Sequence, residues 1–121
     1  MKLTRAKKDE EAFSAKVLVY RVDGALDGLE AINFLSSVTS DMDAEEPNHI
    51  VLVCDDMPYL TSSGLRSIMT IGKRLMGKGG RLVLAGLCGL AEQIVATSGF
   101  STIFPVVADL SEARRTLGGQ P

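Results

Sequence analysis

Two short apolar runs, at residues 50–54 and 82–85, constrain the fold of this chain more than any other feature. Neither run alternates apolar with polar residues, which is typical of strands covered on both faces of a sheet. Between them, the apolar positions from Leu65 to Met76 recur every three to four residues, which predicts an amphipathic helix with Ser67 on its solvent side. Because a strand, a helix and a second strand in this order require a right-handed crossover, we expect the two strands to be parallel in one sheet.

A strand and a helix are predicted before the first run. Residues 16–22 are rich in β-branched and aromatic side chains and end at an Asp-Gly pair, which predicts a strand followed by a turn. A helix is predicted to begin at Asp27 or Gly28, and a loop is predicted at residues 43–48. We expect the core-facing stripe of this helix to consist of Leu29, Ile32, Leu35, Val38 and Met42.

The segments after the second run continue the alternation of helices and strands. Residues 89–98 predict a third helix, with Leu90 among the residues that face the core. Residues 103–107 predict a last strand, which we place at an edge of the sheet because Pro105 has no N–H to donate to a ladder. Residues 109–112 (Asp-Leu-Ser-Glu) resemble a capping box and predict a final helix. This alternation predicts an α/β fold.

The division of the chain follows from the same pattern. Residues 16–118 are predicted to form one domain, because a chain of 121 residues is about the size of a single core. Residues 1–15 are predicted to form either a flexible arm or an edge strand, and residues 119–121 a C-terminal tail.

Composition excludes several classes of protein. The 13 basic and 15 acidic residues give a net charge of −2, which argues against nucleic-acid binding. No apolar run approaches the ~20 residues that span a bilayer, and charged residues near the start argue against a secretory signal. We therefore expect a cytoplasmic protein without direct membrane insertion. Cys54 and Cys88 lie in apolar segments and are expected to be reduced core thiols.

Common enzyme motifs are not matched. A nucleophile elbow around Ser62 would need Gly at position 60, where the sequence has Leu60. The Gly72-Lys73 pair lacks the other residues of a phosphate-binding loop. With His49 as the single histidine, we expect no transition-metal site.

Three adjacent hydroxyl residues, Thr61, Ser62 and Ser63, precede the amphipathic helix. One interpretation is structural, because serine is a favoured helix N-cap worth ~1 kcal/mol. The other is functional, because a phosphoryl group attached there would lie at the positive end of the helix dipole. Tyr59 and Leu60, just before these hydroxyls, could contact a partner or pack under their own loop.

Four segments gain significance when they are taken together: Gly-Ala-Leu-Asp at 24–27, the apolar strand at 50–54, Tyr-Leu-Thr-Ser-Ser-Gly-Leu-Arg at 59–66, and Gly-Gly-Arg-Leu-Val-Leu at 79–84. In combination they resemble the STAS domain family, and more narrowly its bacterial anti-sigma-factor antagonists. The resemblance implies a single α/β domain with a mixed sheet of four or five strands and about four helices packed mainly on one face.

The same resemblance implies a non-enzymatic switch without a cofactor. An anti-sigma factor that is also an ATP-dependent protein kinase would bind the unphosphorylated form and phosphorylate Ser62, with Thr61 and Ser63 as secondary acceptors, and a phosphatase would reset the protein. The implied partner-binding residues are Asp27, Tyr59, Leu60, Thr61, Ser62, Ser63, Gly64 and Arg66.

One residue departs from the family pattern. Thr61 stands where the family frequently has Asp. A carboxylate there would repel an added phosphate and could orient the acceptor, whereas a hydroxyl does neither in the same way. This departure supports a second hypothesis, in which the chain is a structural STAS subunit of a lipid-transport ATPase complex or a stress-signalling scaffold.

Overall fold

The computed structural model describes residues 1–118, and the tail predicted at residues 119–121 lies outside them. Its five-stranded sheet has the order β1-β2-β3-β4-β5, with the bounds β1 (Lys2–Arg5), β2 (Val17–Asp23), β3 (His49–Val53), β4 (Arg81–Ala85) and β5 (Val106–Val107). Strand β1 is antiparallel to β2, and the other neighbouring pairs are parallel. The predicted α/β fold with a mixed sheet is therefore confirmed.

Within residues 1–118, five α-helices and one 3-10 helix connect or flank these strands. Their bounds are α1 (Lys7–Glu10), α2 (Gly28–Glu45), α3 (Ser62–Met76), α4 (Gly89–Ser98), the 3-10 helix (Phe100–Thr102) and α5 (Leu110–Thr116). The first 15 residues contribute both the edge strand β1 and the short helix α1.

Alternate residues of the central strands enter two separate cores. Leu52 of β3 lies in the larger core, against helices α2, α3 and α4. Its neighbours Val51 and Val53 lie in the smaller core on the other face, with Phe13 and with Ala113 of α5. Because both faces are covered, the strand has no polar alternation.

Helix α2 differs from its prediction in which side faces the core. Leu29 and Ile32 are 76% and 68% exposed. Val38 and Met42 are buried as predicted, but the first half of the buried stripe consists of Ala31 and Phe34. This helix has apolar residues on two sides, and the side with the aromatic ring packs against the sheet. It also runs to Glu45, so the loop predicted at residues 43–48 begins only after that residue.

Three further predictions are corrected. Ser67 is buried rather than on the solvent side. Its hydroxyl is satisfied there, because it donates a 2.6 Å hydrogen bond to the Gly64 carbonyl. Leu90 is 55% exposed, since Ala91 and Val95 form the buried side of α4. Cys88 is exposed rather than in the core.

The last strand is shorter than predicted. Only Val106–Val107 pairs with β4. Phe104 turns into the core instead, where its ring centroid lies 4.7 Å from that of Phe100. Pro105 contributes only its carbonyl, which accepts a hydrogen bond from the Leu84 N–H at 3.1 Å.

Candidate functional site

Helices α2 and α3 begin side by side. The turns that lead into them meet at an isolated parallel bridge between Leu26 and Leu60. The Leu26 N–H donates to the Tyr59 carbonyl at 3.2 Å, and the Thr61 N–H donates to the Leu26 carbonyl at 3.1 Å. These backbone bonds place Asp27 and Thr61, the residues next along each turn, at adjacent helix N-termini.

Asp27 and Thr61 each cap a helix. The Asp27 Oδ1 accepts a hydrogen bond from the Glu30 N–H at 3.0 Å, and the Thr61 Oγ1 accepts one from the Gly64 N–H at 3.3 Å. The structural interpretation, that a serine of this cluster caps α3, is therefore corrected: the cap is Thr61, and Ser62 is the first helical residue.

The two serine hydroxyls remain available. Ser62 and Ser63 are both exposed, and within residues 1–118 neither side chain makes a hydrogen bond. The first turn of α3 contains no acidic residue. The N-terminus of α3 therefore keeps its partial positive charge, because no side chain of the first turn neutralises it. A negative group attached at Ser62 would lie at this positive end.

The predicted partner-binding residues divide into exposed and buried ones. Tyr59 is 42% exposed, and Arg66 is exposed as well. Leu60 is only 2% exposed, because it packs in the larger core under its own loop. Gly64 is also buried, and a Cβ atom there would lie 2.2 Å from the Leu26 carbonyl oxygen. Leu60 and Gly64 thus lie beneath the exposed residues of the site.

Two grooves flank α3, and each serine lines a different one. Ser62 lines the groove between α3 and α4, together with Leu65, Leu90, Gln93, Ile94, Thr97 and Ser98. Ser63 lines the second groove, which we call the α2–α3 groove and which is formed by Gly28, Ala31, Ile32, Leu35, Ser63, Arg66, Ser67 and Thr70.

Exposed apolar side chains near the serines were missed at the sequence level. Leu29 and Ile32 on α2 and Leu90 on α4 are all more than half exposed, although each was expected in the core. The sequence signal at Leu29 and Ile32 is the presence of two apolar stripes on α2, which shows that one stripe stays outside the core but not which one.

His49 has a structural role. Its Nδ1 accepts a hydrogen bond from the Arg81 backbone N–H at 3.0 Å, and burial together with the Arg81 charge lowers its pKa. Within residues 1–118, no group of three or more His, Cys, Asp or Glu side chains could hold a metal ion. In that same part of the chain, no helix combines the length and apolarity required to cross a bilayer.

Comparison with known proteins identifies the family. The sequence model of the STAS domain family matches residues 9–113, so this chain belongs to the STAS domain family. Among curated proteins, the chain is 30% identical over 106 residues to BtrV of Bordetella bronchiseptica, which is named as an anti-sigma factor antagonist. That match covers 88% of this chain and 85% of BtrV.

Solved structures share the fold. A protein of Thermotoga maritima described as an anti-sigma factor antagonist superposes with a TM-score of 0.80 at 22% identity, covering 91% of this chain and 97% of the other. The anti-sigma factor antagonist SpoIIAA superposes in its unphosphorylated form with a TM-score of 0.69 at 16% identity, covering 98% and 100% of the two chains. The phosphorylated form of SpoIIAA, a Bacillus cell fate determinant, gives a TM-score of 0.65 at 16% identity over 85% and 93%.

Proposed function

We propose that this chain is an anti-sigma factor antagonist. In its unphosphorylated state it binds an anti-sigma factor that is also a protein kinase, phosphorylation of Ser62 by that kinase ends the binding, and a phosphatase restores it. The observation on which the proposal depends is the exposed Ser62 hydroxyl, which has no hydrogen bond within residues 1–118 and stands at the first position of α3.

The relatives support the class of function. BtrV, 30% identical, is named as an anti-sigma factor antagonist, and SpoIIAA exists in unphosphorylated and phosphorylated forms. Antagonists of this class are regulatory proteins and not enzymes, so the catalytic groups for phosphoryl transfer belong to the partner.

The chemistry at Ser62 supports a switch. A phosphoryl group adds roughly −1.5 to −2 charges and three acceptor oxygens. The free N–H groups of the first turn of α3 can donate to it, so the fold tolerates the modification. Tyr59, three residues before Ser62, and Arg66, one turn after it, are both exposed. A partner that covers this surface would meet the added charge at its interface.

Phosphorylation is tested by incubating the chain with ATP and the kinase-type anti-sigma factor of the same genome. Digestion with Asp-N and trypsin releases the peptide of residues 56–66 (DMPYLTSSGLR), which separates Thr61, Ser62 and Ser63 from the serines of α2. We expect phosphate on Ser62, and a loss of labelling in Ser62→Ala but not in Ser63→Ala. Unmodified peptide from the parent chain, or full labelling of Ser62→Ala, would reject the proposal.

Binding distinguishes the proposal from the structural alternative. An antagonist should lose affinity for the anti-sigma factor by about 10- to 100-fold in Ser62→Asp, because the carboxylate introduces charge at the contact. A structural subunit of a lipid-transport ATPase complex or of a stress-signalling scaffold would instead co-purify with that assembly and be insensitive to Ser62→Asp.

A further inference from the structure

We propose that the α2–α3 groove receives an amphipathic helix of the anti-sigma factor, whose apolar side chains cover Leu29 and Ile32 and whose carboxylate pairs with Arg66. This inference rests on the proposed function, because it specifies the segment of that partner which the chain binds.

The α2 side of the groove carries exposed apolar side chains: Ile32 lines the groove, and Leu29 lies three residues earlier on the helix, outside the lining. Leu29 and Ile32 are 76% and 68% exposed, and their spacing of three residues puts them on one face of the helix. Leu35, one turn further, is partly buried and lines the groove. Side chains of this size side by side on a helix are a typical contact for the apolar face of a second helix.

The α3 side of the groove is polar, and its single charged group is Arg66. Three hydroxyls line it, and two of them are already used, since Ser67 donates to the Gly64 carbonyl and Thr70 donates to the Arg66 carbonyl at 3.0 Å. Arg66 forms no ion pair with any residue among 1–118. Because the groove lining contains no acidic residue, the charge that complements it is a carboxylate from outside.

The dimensions of the groove fit a short helical segment. The lining runs from residue 28 to 35 on α2 and from 63 to 70 on α3, which is about seven residues, or ~10 Å at 1.5 Å per residue. Its volume is about 280 Å³. Two turns of a helix with apolar residues at positions i, i+3 or i+4, and i+7 match this length.

The position of the groove also explains how a phosphate could end the binding. Ser63 lines the groove at its N-terminal end, and Ser62 is its neighbour in the chain. Helix α3 begins at this end with no acidic residue in its first turn, so its positive dipole end and Arg66 together attract the carboxylate of the bound helix. A phosphate on Ser62 brings roughly −1.5 to −2 charges to the same end, where it repels the carboxylate of the bound helix.

Matched pairs of variants test the inference. Affinity for the kinase-type anti-sigma factor of the same genome is measured by isothermal titration calorimetry, with Ile32→Ser compared to Ile103→Ser and Arg66→Glu compared to Lys73→Glu. Ile103 is 48% exposed and lies outside both grooves, and Lys73 is exposed on α3 but does not line the groove. We expect losses of about tenfold or more for the groove variants and less than about twofold for their controls.

Salt provides a second measurement. The defect of Arg66→Glu should shrink as NaCl is raised from about 0.05 to 0.5 M, because exposed charges are screened over a few ångströms at high salt. The defect of Ile32→Ser should not shrink, because it arises from lost apolar contact.

The outcomes separate the inference from the proposed function. If the parent chain binds the anti-sigma factor and the groove variants bind like their controls, the groove assignment is wrong and the proposed function stands. If the parent chain does not bind at all, both are wrong. If Ile32→Ser instead abolishes self-association of the chain in analytical ultracentrifugation while leaving binding of the anti-sigma factor intact, the groove belongs to a second copy and the assignment is equally wrong.

Discussion

The close approach of α3 to the turn before α2 predicts a specific cost for any side chain at Gly64. A Cβ atom at this position would lie 2.2 Å from the Leu26 carbonyl oxygen and 3.1 Å from Leu26 Cγ. Real Cβ atoms essentially never come nearer than 3.0 Å to such an atom, so the two segments must separate by at least 3.0 − 2.2 = 0.8 Å. The same carbonyl accepts the 3.1 Å hydrogen bond from the Thr61 N–H, which that separation would weaken.

The magnitude for Gly64→Ala follows from three contributions. Overpacking of a filled site costs ~1–3 kcal/mol, and loss of one intramolecular hydrogen bond costs ~1 kcal/mol. The higher helix propensity of alanine returns up to ~1 kcal/mol. We therefore expect the free energy of unfolding to fall by about 2 kcal/mol, and the melting temperature of a domain of this size to fall by about 8 °C.

Urea denaturation followed by far-ultraviolet circular dichroism measures this effect, with Gly77→Ala as the matched control. At Gly77 the nearest atom to an added Cβ lies 3.5 Å away and φ is −61°, so alanine fits and should be neutral or stabilising by up to ~1 kcal/mol. If Gly64→Ala unfolds within about 0.5 kcal/mol of the parent chain, the contact between the two turns does not constrain the site as argued.

Three other predictions concern charge and accessibility. Ser62→Asp should keep the melting temperature within a few degrees of the parent in a calorimetric scan, because a carboxylate in the first turn of α3 interacts favourably with the helix dipole; a large drop would contradict the exposed position of Ser62. The hydrogen bond from Arg5 holds the pKa of Glu45 at about 2, so the stability from this pair is present above the unfolded pKa of ~4.3 and is lost as pH falls toward 2. In Arg5→Met, the urea midpoint should therefore decrease less between about pH 5 and pH 2 than it does in the parent chain. The difference should be modest, since the pair is partly exposed, and an equal decrease in both proteins would contradict this. Iodoacetamide at about pH 8 should label Cys88, which is exposed, and spare Cys54, because burial raises the pKa of that thiol to about 12; peptide mass spectrometry that finds both labelled in the native protein would refute this.

The sheet could be predicted from the sequence because its strands have a local signature. The runs at 50–54 and 82–85 lack alternation, and the structure pairs them in parallel, with Ile50 opposite Leu82 and Val53 opposite Ala85. A strand whose alternate side chains enter two cores must be apolar at every position. A run of a few apolar residues is enough to reveal this requirement in the sequence.

The buried face of α2 could not be predicted in the same way. Periodicity identifies the stripe of Leu29, Ile32 and Leu35 as readily as the stripe of Ala31 and Phe34. Which stripe faces inward is decided by how the helix is rotated on the sheet, and that rotation is set by its N-terminus next to α3 and by the packing of Phe34 in the larger core. Of the apolar residues left outside, Ile32 and Leu35 line the α2–α3 groove, and Leu29 follows the lining residue Gly28 in the chain.

The hydroxyl cluster lies at the start of α3, where the sequence predicts a helix to begin, but the role of each hydroxyl depends on a contact distant in sequence. Any of Thr61, Ser62 and Ser63 can cap a helix. Thr61 is the cap because its backbone N–H donates to the Leu26 carbonyl and its backbone is extended, with φ −90° and ψ 174°. The helix therefore begins one residue later, at Ser62. A threonine hydroxyl thus performs the capping that an aspartate would perform, without its charge. The departure from the family pattern therefore does not weaken the site for a phosphate on Ser62: it removes the carboxylate that would have repelled that phosphate.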